Sequence, residues 1–179
     1  HRLLGQMADA CDYANVHIYF GKGGAPRDSW AYASGLGQIP AAGRPTIVTE
    51  TGYSTAWKHD EGVDEATQAK ETLSILVRSA AEGDVGVYLY ELVDQKPDKT
   101  GAAKESSFGL FRTDWKPKPA ADAIRNLTTI LSAGQGTAKA GSLAYGLQGL
   151  PANGVSVLLQ EADGAFDLVL NVEPKIWDA

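Results

Sequence analysis

The chain is poor in cysteine, methionine and positive charge. One cysteine, Cys11, among 179 residues excludes an internal disulfide. Small extracellular domains often depend on disulfides, but a chain of this length can build a core without them, so secretion stays open. Lysine and arginine number 16 against 22 aspartates and glutamates, a formal net charge of −6. No basic surface is therefore expected to recruit nucleic acid or an anionic membrane. No apolar run approaches the about 20 residues of a membrane-crossing helix. The three histidines, His1, His17 and His59, stand far apart, and Cys11 has no ligand-like companion. Neither a metal nor another cofactor is expected on that basis. The GKGG at 21–24 lacks the spacing of a phosphate loop, and Ser54 lacks a nucleophile elbow. There is no signal-peptide pattern and no initiator methionine, so the chain reads as a processed or cut piece.

The stretch that organises the rest is Arg44–Thr55, RPTIVTETGYST. Thr46–Thr49 is rich in β-branched residues and reads as a strand. Glu50 sits where the strand runs out, and Gly52 allows a sharp turn after it. A carboxylate at the C-terminal end of a buried strand calls for a polar site, and in parallel α/β folds that end is where ligands bind. The alternative is a surface glutamate capping the next helix. That helix is expected only from Asp64, about fourteen residues on.

Upstream, Arg2–Ala10 reads as the end of a helix with Leu3, Leu4 and Met7 on one side. Asp12–Phe20 alternates as a strand, with His17 and Tyr19 on one face near its C-terminal end. Lys22–Arg44 reads as a glycine-rich loop with an aromatic wall of Trp30 and Tyr32, holding a short helix over Asp28–Leu36 capped by Asp28. Asp64–Ala81 is the clearest helix, its apolar side made by Ala66, Ala69, Leu73, Leu76, Val77 and Ala80. Val85–Leu92 suits a central parallel strand between helix layers. Pro117–Leu131 is a helix with proline in its first turn. The long connections after every strand demand crossovers rather than hairpins. The expected fold class is α/β. Its parts are a barrel-like segment over 1–131, a flexible linker over 132–137, and an incomplete small β-domain over 138–179. That last part reads as a meander of three short strands, with a hairpin turn at Asp163-Gly164.

Three strand ends then collect residues of one kind: His17 and Tyr19, then Glu50 and Tyr53, then Tyr88, Tyr90 and Glu91. Trp30, Tyr32 and Trp57 surround them. Rings that stack on sugar C–H faces, beside carboxylates, are the usual chemistry of carbohydrate binding. Glycoside hydrolysis needs two carboxyl groups, and Glu50 is the candidate nucleophile, oriented by Tyr19 or His17. The candidate substrate-binding residues are His17, Tyr19, Trp30, Tyr53, Trp57, Tyr90 and Glu91. His17 reads equally as a structural histidine, and Tyr88 with Tyr90 equally as core.

The ordered set ANVHIYF, PTIVTETGYS, VGVYLYELVDQ and FGLFRTDWKPKPAADAI resembles the C-terminal part of a clan A (β/α)8-barrel retaining glycoside hydrolase, over about residues 8–131. The resemblance implies strands six to eight of a partial TIM barrel, three βα units, followed by the start of an appended β-domain. Glu50 then resembles the nucleophile, His17 and Tyr19 the pair lining the −1 sugar site, and Tyr90 or Glu91 a sugar platform on strand eight. The family's acid/base glutamate comes from an Asn-Glu pair on strand four, for which this chain has no match. The implied partners are a carbohydrate substrate and either a missing N-terminal barrel half or a second copy in a homo-oligomer. A segment of this kind is expected to expose sheet edges and a wide apolar face. Extracellular location follows only from the resemblance. The alternative function is a catalytically inactive carbohydrate-binding or structural fragment that self-associates.

Overall fold

A computed structural model describes residues 5–132 and 134–177. Strand β1 (Ala14–Tyr19) buries Ala14, Val16 and Ile18 and exposes Asn15, His17 and Tyr19, as a period of two requires. It pairs in parallel with β2 (Thr46–Gly52), which pairs in parallel with the short β3 (Val87–Leu89), in the order β1-β2-β3. Helix α1 (Pro26–Gln38) joins the first two strands and α2 (Glu65–Glu82) the second and third. Helix α3 (Pro119–Leu131) packs on α2. One face of the sheet is thus covered by helices, around a core of Val16, Ile18, Phe20, Trp30, Val48, Tyr53, Val63 and Ile75. The other face carries Asn15, His17, Tyr19, Thr49 and Glu50. The wide apolar face expected from the sequence is therefore polar where these side chains line it.

Several boundaries depart from the sequence reading. The segment read as an aromatic-walled loop is mostly helix, because Pro26 sets φ for a first turn ahead of Asp28 and Ala25 takes the cap position. Trp30 then points inward. Helix α2 starts at the predicted Asp64, whose side chain accepts from Thr67 N at 2.7 Å, and ends at Gly83 with φ +75°. Its buried side includes Thr67, Gln68, Glu71, Thr72 and Ser74 rather than the whole predicted apolar set. Gln68 is tolerated there because its Nε2 donates to Tyr53 O at 2.9 Å. Leu76 and Ala80 face a crevice shared with α3 and the C-terminal strands. The third strand is shorter than Val85–Leu92, since the chain turns at Tyr90-Glu91. For the N-terminal helix expected over 2–10, residues 2–4 lie outside the described residues, and what is described is one 3-10 turn at Ala8–Ala10.

The C-terminal part holds an antiparallel pair, β4 (Gly154–Gln160) and β5 (Phe166–Val172), turned by Asp163-Gly164 with Gly164 at φ +97°. The first of the three expected meander strands, 141–150, forms no strand. Gly141, Gly146 and Gly149 interrupt it, and its side chains are exposed. The pair packs on α2, where Asn171 Nδ2 donates to Ser74 Oγ at 3.2 Å. Glu173, just past β5, is fully buried. It accepts from Arg78 Nη2 at 2.7 Å, Arg78 Nε at 3.1 Å and Arg27 N at 3.1 Å.

Glu71 lies beside this ion pair, 2% exposed, and its Oε2 has no hydrogen-bond partner. Burial, then the charges of Glu173 and Asp28, push its carboxyl up to about 7. The folded chain therefore holds a proton that the unfolded chain releases near its ordinary value of 4.5. Stability contributed by neutral Glu71 is full below about pH 4.5 and declines until about pH 7, by roughly 3 kcal/mol at 1.36 kcal/mol per pKa unit. Glu71→Gln removes that decline. Urea unfolding is expected to show the variant gaining on the parent at pH 8 and not at pH 4.5.

Candidate active site

The register between β1 and β2 aims Glu50. Val16 lies opposite Val48, but the next residue, His17, lies opposite Glu50, so Thr49 is an extra residue in β2. Strict alternation after the buried Val48 would turn Glu50 toward the helices. The bulge instead places two successive side chains on the open face. Thr49 Oγ1 donates to Asn15 Oδ1 at 2.9 Å, and Glu50 meets Tyr19. Beyond it, Gly52 passes so close to Tyr90 that a Cβ would collide with the Tyr90 carbonyl oxygen.

Tyr19 donates its hydroxyl to Glu50 Oε1 at 2.5 Å. His17 Nδ1 lies 3.6 Å from Glu50 Oε2, a charge contact when protonated but long for a hydrogen bond. Burial, the hydrogen bond to Glu50 and its negative charge raise the Tyr19 phenol well above the ordinary tyrosine range. Tyr19 therefore stays protonated and donates, holding Glu50 Oε1 while Oε2 faces His17. Both residues line a cavity of about 340 Å3 with Tyr90, Lys104, Glu105 and Phe108. Phe108 stands edge-on to Tyr19 and to Tyr90, with ring centroids 5.6 and 5.4 Å away. Lys104 pairs with Glu61 and stands 3.7 Å from Glu105.

The other expected site residues divide. Tyr90 lines the cavity, and its hydroxyl accepts from Gln95 Nε2 at 2.8 Å. Glu91 follows through a cis peptide bond; burial raises its carboxyl, and its Oε1 has no hydrogen-bond partner. Trp30 and Tyr53 lie in the core. Trp30 is 1% exposed, stacks on Phe20 and donates Nε1 to Asp84 Oδ2 at 3.2 Å. Tyr53 stacks on Phe20 at 4.9 Å and donates to Gly24 O at 2.6 Å. Neither ring is free to stack on a sugar. Trp57 is 53% exposed, lies against Gly101, and has the Lys58 ammonium 4.8 Å from its ring. It lines a second cavity of about 560 Å3, with Asp94, Asp98 and Arg112. Backbone bonds from Thr55 N to Ser107 O and from Lys58 N to Gly101 O run beside that cavity.

Lys104 and Glu105 sit in the charged loop 93–106, VDQKPDKTGAAKES, and Phe108 opens the short apolar run FGLF, so none of them stood out as a site residue in the sequence. Only the aromatic Phe108, close after that loop, offered a signal. Among the described residues, no group of three His, Cys, Asp or Glu could hold a metal ion, and no helix is long and apolar enough to cross a membrane.

No protein-family model matches the chain, and no curated protein does. Parts of several solved structures are similar to it. A β-glucuronidase from Bifidobacterium dentium, in complex with coumarin-3-O-glucuronide, matches with 20% identity and TM-score 0.50, over 66% of this chain and 20% of its own. A family 39 glycoside hydrolase from Bacteroides cellulosilyticus WH2 matches with 20% identity and TM-score 0.49, over 65% of this chain and 27% of its own. A family 17 β-1,3-glucanosyltransferase from Rhizomucor miehei matches with 15% identity and TM-score 0.49, over 63% and 43%. The chain thus spans less than half the length of each. The likeness is one of fold: an α/β architecture, part of a TIM barrel, with a small β part after it.

Proposed function

We propose that this chain is the nucleophile-bearing part of a retaining glycoside hydrolase acting on O-glycosidic bonds of an oligo- or polysaccharide. The observation that carries the reading is the Tyr19–Glu50 hydrogen bond at the C-terminal end of parallel strands, inside a cavity walled by aromatic rings. A carboxylate held by one oxygen keeps the other for attack on the anomeric carbon. The C–O bond to the leaving group breaks as the Glu50–sugar ester forms, and an acid protonates the departing oxygen. Water, deprotonated by the same group, then cleaves the ester, and two inversions give net retention. His17, Tyr90 and Glu91 are the sugar-contacting candidates of this reading, with Trp57 at a more distant subsite. The acid/base group comes from the rest of the barrel, in a longer protein or a second copy. In this reading the chain divides into a barrel segment over 1–131, a linker over 132–137 and the appended β part over 138–179.

A second reading, sugar binding without turnover, draws on Glu105. This other carboxylate on the cavity wall is mostly exposed and stands beside Lys104, a poor setting for a proton donor. Reducing-sugar release from a panel of glucans, mannans, xylans and galactans separates the two. Release in which proton NMR shows the starting anomer first supports the first reading, and inversion sinks it. Binding with no release selects the second. Tyr19→Phe removes a hydrogen bond to a charge worth about 1.5–3 kcal/mol. It is expected to lower kcat roughly tenfold to hundredfold, with KM little changed.

A further inference from the structure

The two strand ends that carry Tyr19 and Glu50 converge on one loop, residues 21–25, and that loop is clamped from far away in the chain. Lys22 and Gly23 both stand at positive φ, +56° and +62°. A lysine there is strained and persists only where surrounding contacts hold it. Among the described residues β1 pairs only with β2, so its other edge gives Tyr19 no ladder support.

Three contacts hold the loop and the helix turn that follows it. Tyr53, next after β2, donates its hydroxyl to Gly24 O and stacks on Phe20. Trp177 lies against Gly23, where an added Cβ would come within 2.6 Å of the indole. Glu173 accepts from Arg27 N in the first turn of α1, where a negative charge complements the helix dipole, and is locked by Arg78. Two of the three therefore come from the segment after β5, 146 residues from Arg27 in the case of Glu173.

We propose that Glu173 and Trp177 are positioning residues for the Tyr19–Glu50 pair: the segment after β5 sets the loop that ends β1, and so sets where the Tyr19 hydroxyl meets Glu50. The catalytic consequence rests on the nucleophile reading above; the positioning is read on Tyr19 itself. The β part is then a working component of the site.

The test is a pH titration of the full chain carrying 13Cζ-labelled tyrosine, with the Tyr19 signal assigned by Tyr19→Phe. In the parent, Tyr19 holds its proton where exposed tyrosines lose theirs. Glu50→Gln measures how much of that comes from the carboxylate. Trp177→Ala is expected to weaken Tyr19's hold on its proton at least tenfold, with the circular dichroism of the fold unchanged. Glu173→Ala is expected to do the same, and Glu173→Gln, which still accepts from Arg27, to fall between. Glu173→Ala leaves Arg78 without its buried partner and can cost the fold, so Trp177→Ala is decisive. An unchanged Tyr19 titration in a folded Trp177→Ala chain overturns the proposal. Where the chain hydrolyses sugar, Trp177→Ala lowers kcat about tenfold with KM within about twofold. A purely structural role shifts the melting temperature and leaves both readouts alone. Full hydrolysis in Glu50→Gln defeats the nucleophile reading and leaves the Tyr19 result standing.

Discussion

Glu50→Gln is expected to remove hydrolysis by roughly 10^4–10^6-fold, the scale seen when an enzyme loses its nucleophile. The amide has almost the same shape as the carboxylate, and its carbonyl oxygen still accepts from Tyr19. Helix content and melting temperature should therefore stay close to the parent, and the loss falls on kcat. What the amide lacks is the negative charge and the nucleophilic oxygen that the proposed ester to the sugar requires. Glu50→Asp is the sharper companion. It keeps the charge but withdraws the carboxylate by one methylene, and a misplacement of about 1 Å costs about 10^2-fold when reacting atoms must be aligned. The ordering parent, then aspartate, then glutamine identifies a nucleophile. Equal activity in all three assigns Glu50 to structure.

The largest stability effect is expected at Lys118. This lysine is 1% exposed, and its Nζ donates to Asp94 Oδ1 at 2.7 Å, Thr55 Oγ1 at 2.9 Å and Ser107 O at 3.3 Å. It ties together the chain after β2, the chain after β3 and the start of α3. Burial pulls its ammonium below the ordinary lysine range, opposed by the hydrogen bond and charge of Asp94. Lys118→Met keeps the volume and strands Asp94, which is itself mostly buried. Breaking a buried pair from one side costs about 3–5 kcal/mol. For a chain of this size that is a fall in melting temperature of roughly 10 °C. Replacing both partners, Lys118→Met with Asp94→Leu, should recover part of the loss because no charge is left unpaired. Recovery stays incomplete, since Asp94 Oδ1 also accepts from Gly109 N at 2.8 Å. A double-mutant cycle by urea unfolding measures the coupling; additive losses would show that the pair does not act as a unit.

The alternation of β1 was legible because a strand with one covered face needs a period of two, and DYANVHIYF shows it. Asp64 marked the start of α2, and Gly83 ends it, because each acts on its immediate neighbours. Asp64 supplies a side-chain acceptor for Thr67 N, and Gly83 takes the left-handed conformation that ends the helix. Glu50 was legible as a carboxylate at the end of a β-branched run. Its direction was not. The bulge at Thr49 depends on how β2 aligns with β1, a partner some thirty residues away, and no local pattern encodes that alignment. Trp30 and Tyr53 were misplaced for a related reason. An aromatic ring suits a sugar platform and a core equally well, and the choice fell when Pro26 started α1 and turned Trp30 onto Phe20.

By itself, then, the sequence determined what depends on neighbours along the chain: parallel strands separated by helices, the caps of α2, the hairpin at Asp163-Gly164, and a carboxylate in the place where such folds bind ligands. Tertiary structure alone decided which side chains meet. It put Tyr19 on Glu50, brought Phe108 and Glu105 to the same cavity, kept Trp57 at another, and carried Trp177 onto the loop after β1 and Glu173 onto the first turn of α1. Those meetings join residues distant in the chain, so they follow from register and packing rather than from local propensity.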